Sequence, residues 1–575
     1  MGSTENYSIP QEALKVLQKG ILENPLMKDF LPKDLQSLSK HLSFEGSNKP
    51  SIPINWRFAE SISALKGLEA LMLNLLITKK YNIQPLDITI NTDHASLFFM
   101  APLLAQIIKD GAPTPINLYS AETLRMFPSE DKHRSQESIL RKWATNIYKT
   151  KDGRYYHTHG SMNPDSTLTA LKLPLDGEPD DTEESVVEKI QGVTSNINSA
   201  ELDELMNEQF RQAGTVAYSS DEYLNSEHGK ANSKAGLYEI SKDPNSSQPA
   251  TWWKEDASSQ SSPKRPLAGL KVVDITRVIA SPAIGRGLAE MGASVMRVTS
   301  PHLADLSIFH QDLNWGKWNC HLHLKHEEDK EKLRQLIREA DVVIDGYRPG
   351  AMDRLGFGRD AVFDLVKDRG YGIVYVRENC YGWHGPWSHR SGWQQISDSC
   401  CGVSLAYGQA MGNNEAVTPV FPNSDYCTGV CGAASVLHAL IERAEKGGSY
   451  SVDVALNYYS QWLVQSVGTY DDEIWKELWN RHGSPVFRHY QPMQVLLPAM
   501  MRLLYQYDKE TLFKQQFFEP RRAENLGVTF VQVKPIAQFK DNAVELRYNV
   551  GTRGNGTDQP FWPKDLMVQI VTGDN

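Results

Sequence analysis

The sequence predicts an α/β protein whose large domain is a Rossmann-like parallel β-sheet with helical crossovers. Between residues 266 and 456, short apolar segments typical of buried strands alternate with helical segments. This alternation, at this spacing, favours parallel strands joined by helices. The chain has 575 residues, of which 40% are hydrophobic and 23% charged, so its composition is globular and its length allows two or three domains.

Four predicted strands and three predicted helices define the sheet. The strands are "LKVVDITRV", "SVMRVTSP", "DVVIDGY" and "YGIVYVREN", and the helices are "SPAIGRGLAEMGA", "HEEDKEKLRQLIREA" and "RDAVFDLVKDRG". Ligands of such sheets bind outside the carboxyl ends of the strands. We therefore expect the functional site at the segments "TRVIASP", "VTSP", "GYRPG" and "NCYGWHGP".

The N-terminal half contains a weak internal repeat. Residues 59–80 are predicted as a helix, "LDITIN" (86–91) as a strand and "ASLFFMAPLLAQIIKDG" (95–111) as an apolar helix. The same order of elements follows "SDYCTGVCGAASVLHALIERAEKGG", and placing Gly67 on Gly432 puts Glu60 opposite Asp425. The pattern indicates duplication; two unrelated units with similar patterning are the alternative.

Shifts in composition predict five parts of the chain. They are a helical lead over 1–50, a mixed module over 51–245, a linker over 246–265 rich in Ser, Pro and charge, the α/β domain over 266–456, and C-terminal helices with a further segment over 457–575.

Charge and hydropathy exclude several function classes. The net charge is −10 with a pI of about 5.9, which argues against nucleic acid as a partner. Residues 1–20 contain no apolar signal region, and "LMLNLLI" is too short to cross a bilayer. We therefore expect a cytoplasmic protein that binds neither nucleic acid nor membrane.

Cysteine and histidine spacing predicts no metal site. The six cysteines contain no C-x-x-C pair, which favours buried, reduced thiols. Cys427 could act as a nucleophile, but no His stands at a familiar spacing. The pairs "YYHTHG" and "CHLHL" lack a third ligand at a telling distance.

Several quoted segments together resemble the class III CoA-transferases, the family of formyl-CoA transferase, carnitine CoA-transferase and alpha-methylacyl-CoA racemase. They are "RPLAGLKVVDITRVIASPAIGRGLAEMGASVMRVTSP", "DVVIDGYRPGAMDRLGFG", "YGWHGPW" and "SDYCTGVCGAASVLHALIERAEKGGSYSVDVAL", in matching order across 265–456. Residues 51–245 resemble the second half of a family member, including its smaller α+β domain. The tail resembles a returning large-domain segment, so the chain looks permuted or partly duplicated.

The resemblance implies transfer of coenzyme A between an acyl-CoA and a carboxylic acid through an aspartyl anhydride and an aspartyl-CoA. It implies no metal and no tightly bound cofactor, with the CoA thioester as substrate. It also implies a homodimer, and in ordinary family members the two subunits are interlocked. It places the nucleophile on Asp425, ahead of a helix predicted to begin near Thr428, whose positive end would favour the ionised carboxylate. Simple helix capping is the alternative role. Gly429 and Gly432 would let a thioester or another helix approach.

The resemblance also implies a set of CoA-binding positions. Arg348 and Gly350 match the family's turn beside the CoA pyrophosphate. Lys317 and, more weakly, Arg297 match basic positions near the nucleotide. Val278 and Ile279 match the entry loop beside the thioester, and Tyr381 matches a tyrosine near the active site. Formyl-CoA transferase has Gln where this chain has Ile279, which suggests a more apolar acyl substrate.

Two departures from the family pattern keep other functions open. Trp393 stands where racemase-type members have a catalytic His. The missing His argues against an acyl-CoA racemase or isomerase, which is kept as an alternative hypothesis. The glycine-rich flap of the family is not evident after residue 456, and "HGSMN" (159–163) is only a partial substitute. A catalytically degenerate acyl-CoA-binding protein is the third alternative.

Overall fold

A seven-stranded sheet in the C-terminal half is the framework of the molecule. We describe the chain from a computed structural model for residues 7–117, 120–255, 258 and 260–573. The strands of this sheet lie in the order Lys317–His321, Ser294–Thr299, Lys271–Ile275, Val342–Asp345, Val374–Asn379, Tyr450–Ala455 and Glu239–Lys242. The first six are parallel, and the last is antiparallel to its neighbour.

All four strands and all three helices predicted for this sheet are confirmed, but the strands Lys317–His321 and Glu239–Lys242 were not predicted. The strand Lys317–His321 contains Lys317 and Asn319, both fully buried. Buried polar residues are uncommon because each needs a partner, and here Lys317 pairs with Asp274. The apolar pattern that identifies a buried strand is therefore broken at this segment.

Three smaller sheets complete the β-structure, so the fold is mixed α/β with several sheets. Their strands are Leu42–Glu45, Ile88–Asn91 and Ala537–Phe539 in the first, Phe518–Ala523, Val528–Val533, Gln106–Lys109 and Ala112–Pro115 in the second, and Asn146–Lys149, Tyr155–Thr158 and Gly214–Val216 in the third.

The α-helices cover the sheets and fill the space between them. They are Ile9–Lys15, Asp34–Leu38, Phe58–Tyr81, Thr92–Ser96, Ala101–Leu104, Ala121–Met126, Ile139–Trp143, Asp165–Ala170, Glu183–Thr194, Ser199–Glu204, Ser220–Asn225, Glu227–Asn232, Ala280–Glu290, His310–Leu313, Glu327–Glu339, Ala351–Leu355, Arg359–Leu365, Gln394–Cys400, Val403–Ala410, Asn423–Lys446, Leu456–Trp462, Asp472–Arg481, Met493–Tyr507 and Lys509–Leu512.

The apolar helix predicted over 95–111 is wrong in its second half. Helical structure ends at Leu104, and Gln106–Lys109 is a strand. Ile107 pairs there with Phe530, far away in the chain. A run of apolar residues suits either a helix or a buried strand. Here the strand is held both by this distant partner and by the adjacent strand Ala112–Pro115.

Two 24-residue helices, Phe58–Tyr81 and Asn423–Lys446, pack against each other. Each is followed by a strand and a short helix, as the predicted repeat requires. Glu60 and Asp425 are the third residues of their helices. By length and composition alone, the helix Phe58–Tyr81 could cross a bilayer, although polar residues interrupt its apolar runs. Of its most apolar 18-residue stretch, 94% is buried inside the protein.

The helix that bears Asp425 also packs closely against Ala280–Glu290. A Cβ atom added at Gly429 would lie 2.5 Å from the Cβ of Ala283. Another helix therefore occupies the space beside Gly429, which was one of the two uses expected for this glycine. The contact fixes Asp425 relative to the loop that precedes Ala280.

Candidate active site

Two cavities meet at Asp425. The larger, of about 390 Å³, lies at the carboxyl ends of four parallel strands, where the sequence predicts the site. One wall comes from the segments after these strands, namely 277–280, 303–304, 346–349 and 378–380. The facing wall comes from the N-terminal half, namely 161–163 and 210–212.

Asp425 is not a helix cap. The helix begins at Asn423, earlier than the predicted start near Thr428, so Asp425 lies in the first turn. No side-chain capping bond is present at this helix end. The side chain is half-buried and borders both cavities. Its carboxylate is therefore free of the structural role that was the alternative to catalysis.

The surroundings of Asp425 oppose ionisation. Burial raises its pKa well above the usual carboxyl value, and the neighbouring carboxyls of Glu378 and Asp398 raise it further. Burial also raises the pKa values of Glu378 and Asp398, each to about 7. This differs from the expectation based on the helix N-terminus alone, because desolvation and like charges outweigh the helix dipole here.

Strained backbone flanks the carboxylate on both sides. Val278 has φ of 74° and Phe421 has φ of 78°, in the left-handed region that bulky side chains rarely adopt. The Val278 N–H donates to Asp305 Oδ1 over 3.3 Å, which helps hold this turn. Such strain costs on the order of 1–3 kcal/mol per residue and clusters at functional sites.

Four arginines of the described residues line the larger cavity, of which Arg390 pairs with Asp203 and Glu208 and the other three lack acidic partners. Within the described part of the chain, no carboxylate pairs with Arg211, Arg277 or Arg348. Arg277 donates to the Ala304 carbonyl over 2.7 Å, and Arg348 donates to the Arg211 carbonyl over 3.2 Å. Burial lowers the pKa of Arg348, and the charges of Arg277 and Arg211 lower it further. This cluster is suited to bind phosphate groups.

Sequence reasoning missed two of these arginines. Arg277 lies in "TRVIASP", at the carboxyl end of the first predicted strand, and that position could have drawn attention to it. Arg211 lies in "FRQAG" of the N-terminal half, where no local pattern distinguishes it. Only the folded chain brings it beside Arg348.

The structure brings together some of the predicted CoA-binding residues but not others. Val278, Ile279 and Arg348 line the larger cavity together with Asp425. Gly350 lies one residue beyond the lining segment 346–349 and has φ of 75°, a conformation that glycine adopts readily.

Three other predicted residues line neither cavity. Lys317 donates to Asp274 over 2.7 Å, and burial lowers its pKa to about 8. Arg297 pairs with Asp305 over 2.8 Å. Tyr381 is fully buried, and its hydroxyl donates to the Gly214 carbonyl over 3.0 Å. Each is satisfied by protein groups, so each contributes to the framework that supports the cavity walls.

The second cavity, of about 220 Å³, is mainly apolar. Trp393, His159 and His157 form part of its wall, and Trp393 stacks on His159 with ring centroids 5.1 Å apart. Burial lowers the pKa of His157 to about 4 and that of His159 to about 3, so both imidazoles are neutral. The "HGSMN" segment lies between the two cavities, and its Ser161 accepts a hydrogen bond from the Trp393 indole over 3.0 Å.

Thiol chemistry is not favoured at this site. All six cysteines are buried and free, which confirms the expectation of buried, reduced thiols. Burial raises the pKa of Cys427 far above its usual value, so its nucleophilic thiolate is suppressed. Across the described residues, no group of three or more His, Cys, Asp or Glu side chains could hold a metal ion.

Comparison with known proteins identifies clear relatives. The family model for CoA-transferase family III matches residues 267–490. The chain is 60% identical to the acetyl-coenzyme A transferase nodX of Hypoxylon pulicicidum, over 100% of this chain and 97% of that protein. It is 32% identical to an acyl-CoA transferase of Gibberella moniliformis, over 84% of this chain and 83% of that protein.

More distant relatives match only part of their own length. A formyl-CoA:oxalate CoA-transferase of Streptomyces coelicolor is 32% identical over 33% of this chain and 48% of that protein. A hypothetical protein of Mycobacterium tuberculosis of known crystal structure is 28% identical over 34% of this chain and 56% of that chain, with a TM-score of 0.31. The names of these curated relatives do not favour the racemase or the non-catalytic alternative.

Proposed function

Since this chain belongs to CoA-transferase family III and is a CoA-transferase, we propose that Asp425 is the nucleophile that carries the CoA group between two carboxylates. The observation that supports this most directly is the uncapped Asp425 carboxylate at the junction of a basic and an apolar cavity. A CoA thioester carries phosphates at one end and a reactive carbonyl at the other. The two cavities and the carboxylate match these parts in order.

The first half of the proposed reaction moves CoA onto the enzyme. An oxygen of ionised Asp425 attacks the thioester carbonyl, the carbon–sulfur bond breaks, and CoA leaves as a thiolate. The product is a mixed anhydride between Asp425 and the donor acyl group. The thiolate then attacks the aspartyl carbonyl, the anhydride bond breaks, and the donor leaves as a carboxylate.

The second half transfers CoA to the acceptor. The acceptor carboxylate attacks the aspartyl-CoA thioester, forming a second anhydride and releasing the thiolate again. The thiolate attacks the acyl carbonyl of that anhydride, which yields the new acyl-CoA and free Asp425. No proton is consumed, so the enzyme needs an ionised carboxylate and protection from water more than an acid or a base.

We propose that the phosphates of CoA lie against Arg211, Arg277 and Arg348. Arg211 and Arg348 are exposed and Arg277 is half-buried, and within the described residues no acidic partner offsets their charges. A polyanion would therefore relieve the repulsion that Arg277 and Arg211 exert on Arg348. The parallel strands follow the order 3-2-1-4-5-6, which supports the Rossmann-like description. The larger cavity lies next to the point where that order reverses, between Lys271–Ile275 and Val342–Asp345.

The "HGSMN" segment is our proposed shield for the aspartyl intermediates. Ser161 and Met162 border both cavities opposite Val278 and Ile279. Ser161 has φ of 50° and accepts from the Trp393 indole, so the segment is held in place by a specific contact. A wall at this point would keep water away from the reactive carbonyl.

The name of the relative at 60% identity suggests acetyl-CoA as a donor for this chain. We also propose the domain boundaries given above, a homodimer and a cytoplasmic location. They rest on the resemblance and on composition.

The decisive experiment is mass spectrometry of the protein incubated with acetyl-CoA. We expect a CoA adduct on the peptide that contains Asp425, and we expect Asp425→Asn to lose the adduct and at least 10³-fold in turnover, as removal of a covalent nucleophile commonly does. Asp472→Asn is the matched control, since Asp472 is an exposed residue in the first turn of another helix. An adduct that persists in Asp425→Asn would contradict the proposal.

A further inference from the structure

We propose that the second cavity binds the acceptor, and that the acceptor is a monocarboxylic acid whose apolar body is at least as large as a benzene ring. This inference rests on the proposed function, because it places the acceptor carboxylate at Asp425. It adds the chemical class of the acid, which the family and its relatives do not determine for this chain.

The position of the cavity supports this role. Both cavities reach Asp425, and they share the wall formed by Ser161, Met162, Val278 and Ile279. An acid in the second cavity can therefore bring its carboxylate to Asp425 while CoA remains in the first. The two substrates need not pass through each other's space.

The chemistry of the walls selects an apolar body. Most of the surface that faces the cavity is apolar, and Leu103, Leu306, Phe309, Met493 and Leu497 contribute to it. The uncharged side chains of Gln136, Gln394, Gln395 and Gln494 line the cavity as well. The histidines of the wall are neutral, as described above.

The lining cations do not favour a second carboxylate. Arg141 is committed to three backbone carbonyls and to Asp165, so its charge is already compensated. Lys142 is half-buried, and the second carboxylate of a diacid would need to form an ion pair with its ammonium group. Burying a second carboxylate against mainly apolar walls is costly unless that single group pairs with it.

The size of the cavity selects a substantial body. An apolar cavity of about 150 Å³ holds a benzene molecule. The cavity here measures about 220 Å³, so an acid as small as acetate would leave most of it unfilled. Oxalate or succinate would also bring a second carboxylate into a cavity whose described lining has only Arg141 and Lys142 as cations. Both effects favour one carboxylate and a ring or chain of six or more carbons.

The test compares acceptor acids with acetyl-CoA as the donor. Phenylacetate and octanoate are compared with acetate, oxalate and succinate, and the new acyl-CoA is measured by mass spectrometry. We expect kcat/KM for the two apolar acids to exceed that for the small acids by at least about tenfold. A preference for the diacids would overturn the inference.

Filling the cavity provides the matched variants. Leu497→Trp should lower transfer to phenylacetate and octanoate at least about tenfold relative to CoA-adduct formation measured on the same sample. Leu503→Trp is the control, because Leu503 is a half-buried leucine on the same helix, Met493–Tyr507, and lines neither cavity. Met493→Trp repeats the test if Leu497→Trp does not fold. Apolar-acid transfer that keeps its ratio to adduct formation in a folded filled variant would overturn the inference.

Calorimetric titration of the acids separates this inference from the proposed function. In one outcome, acetyl-CoA gives no adduct, yet phenylacetate and octanoate bind the wild type and bind Leu497→Trp at least tenfold more weakly. The covalent mechanism then fails, while the assignment of the second cavity stands. If adducts form but these acids neither bind nor accept CoA, the acceptor assignment fails alone.

Discussion

At the scale of single residues, the protonation of Asp425 controls whether the proposed attack occurs. Only the ionised carboxylate is nucleophilic, and its pKa is raised by burial, by Glu378 and by Asp398. Adduct formation should therefore increase with pH and be lost as the pH falls through this raised value. We expect the acidic limb of the pH profile of adduct formation to lie well above the usual carboxyl range.

Replacement of Asp398 by Asn tests this electrostatic coupling. The substitution removes a like charge, so the pKa of Asp425 should fall and the acidic limb of kcat/KM should move to lower pH. Asp398 lines neither cavity, so it acts as a positioning residue. Asp364→Asn, on an exposed helix surface, should leave the profile unchanged. An acidic limb that does not move in Asp398→Asn would show that this carboxyl does not influence Asp425.

Arg277 gives the second residue-scale prediction. Arg277→Gln removes one charge from the unpaired cluster, and a hydrogen bond to a charged group contributes about 1.5–3 kcal/mol, so KM for acyl-CoA should rise roughly 10- to 100-fold. The effect on kcat should be small, because the phosphates are bound before and during the transition state. Arg359→Gln is the control, since Arg359 pairs with Asp360 on the surface. A loss confined to kcat would assign Arg277 a different role.

At the scale of elements, the packing of two helices sets the position of the nucleophile. Gly429→Ala would bring a methyl group within 2.5 Å of the Ala283 side chain, so the helices Asn423–Lys446 and Ala280–Glu290 must move apart. Such overpacking costs typically about 1–3 kcal/mol of the free energy of unfolding. Because Val278 and Ile279 immediately precede the second helix, adduct formation should fall as well.

Urea denaturation and adduct kinetics of the same variant check this prediction. Gly192→Ala is the matched control, because Gly192 lies inside the helix Glu183–Thr194 and a Cβ atom there meets no atom within 4 Å. That change should stabilise the protein by about 0.5–1 kcal/mol, as alanine does in open helix positions. Gly429→Ala with unaltered stability and kinetics would mean that the close packing does not position Asp425.

The elements also show which parts of the fold the sequence can predict. Lys271–Ile275 and Val342–Asp345 are apolar, contiguous and followed by helices, so local pattern suffices. Lys317–His321 fails because a buried ion pair breaks its apolar pattern. Gln106–Lys109 fails because its apolar run also suits a helix and one of its two partner strands lies more than 400 residues away.

The site divides in the same way. Asp425, Ile279 and Arg348 lie in segments that resemble a family, and they could be identified from the chain alone. Arg211 comes from the N-terminal half and lies at the larger cavity only after folding. Long-range proximity has no local pattern, so Arg211 could not be predicted. Ser161 lies in "HGSMN", which the resemblance to the family marked only as a partial flap.

At the scale of the whole molecule, the chain contains two equivalent helices but treats their third residues differently. Asp425 borders two cavities, whereas Glu60 is fully buried and lines neither of them. Glu60 accepts hydrogen bonds from Tyr7 and, over 3.1 Å, from Tyr470. Arg57 lies 3.6 Å from its carboxylate. Protein groups thus occupy the space that a substrate would need beside Glu60.

We therefore expect one working site per chain, which intact-protein mass spectrometry can count. Saturating acetyl-CoA should add a single CoA group, and Glu60→Gln should keep that stoichiometry with the adduct still on the Asp425 peptide. The same variant should lose about 1–3 kcal/mol of stability in urea, because the guanidinium of Arg57 loses a buried charged partner. Asp425→Asn should abolish the adduct instead. Two CoA groups per chain, or an adduct on the peptide that contains Glu60, would show that the helix Phe58–Tyr81 retains a second working site. The contacts of Glu60 with the two tyrosines and with Arg57 would then have to open during turnover.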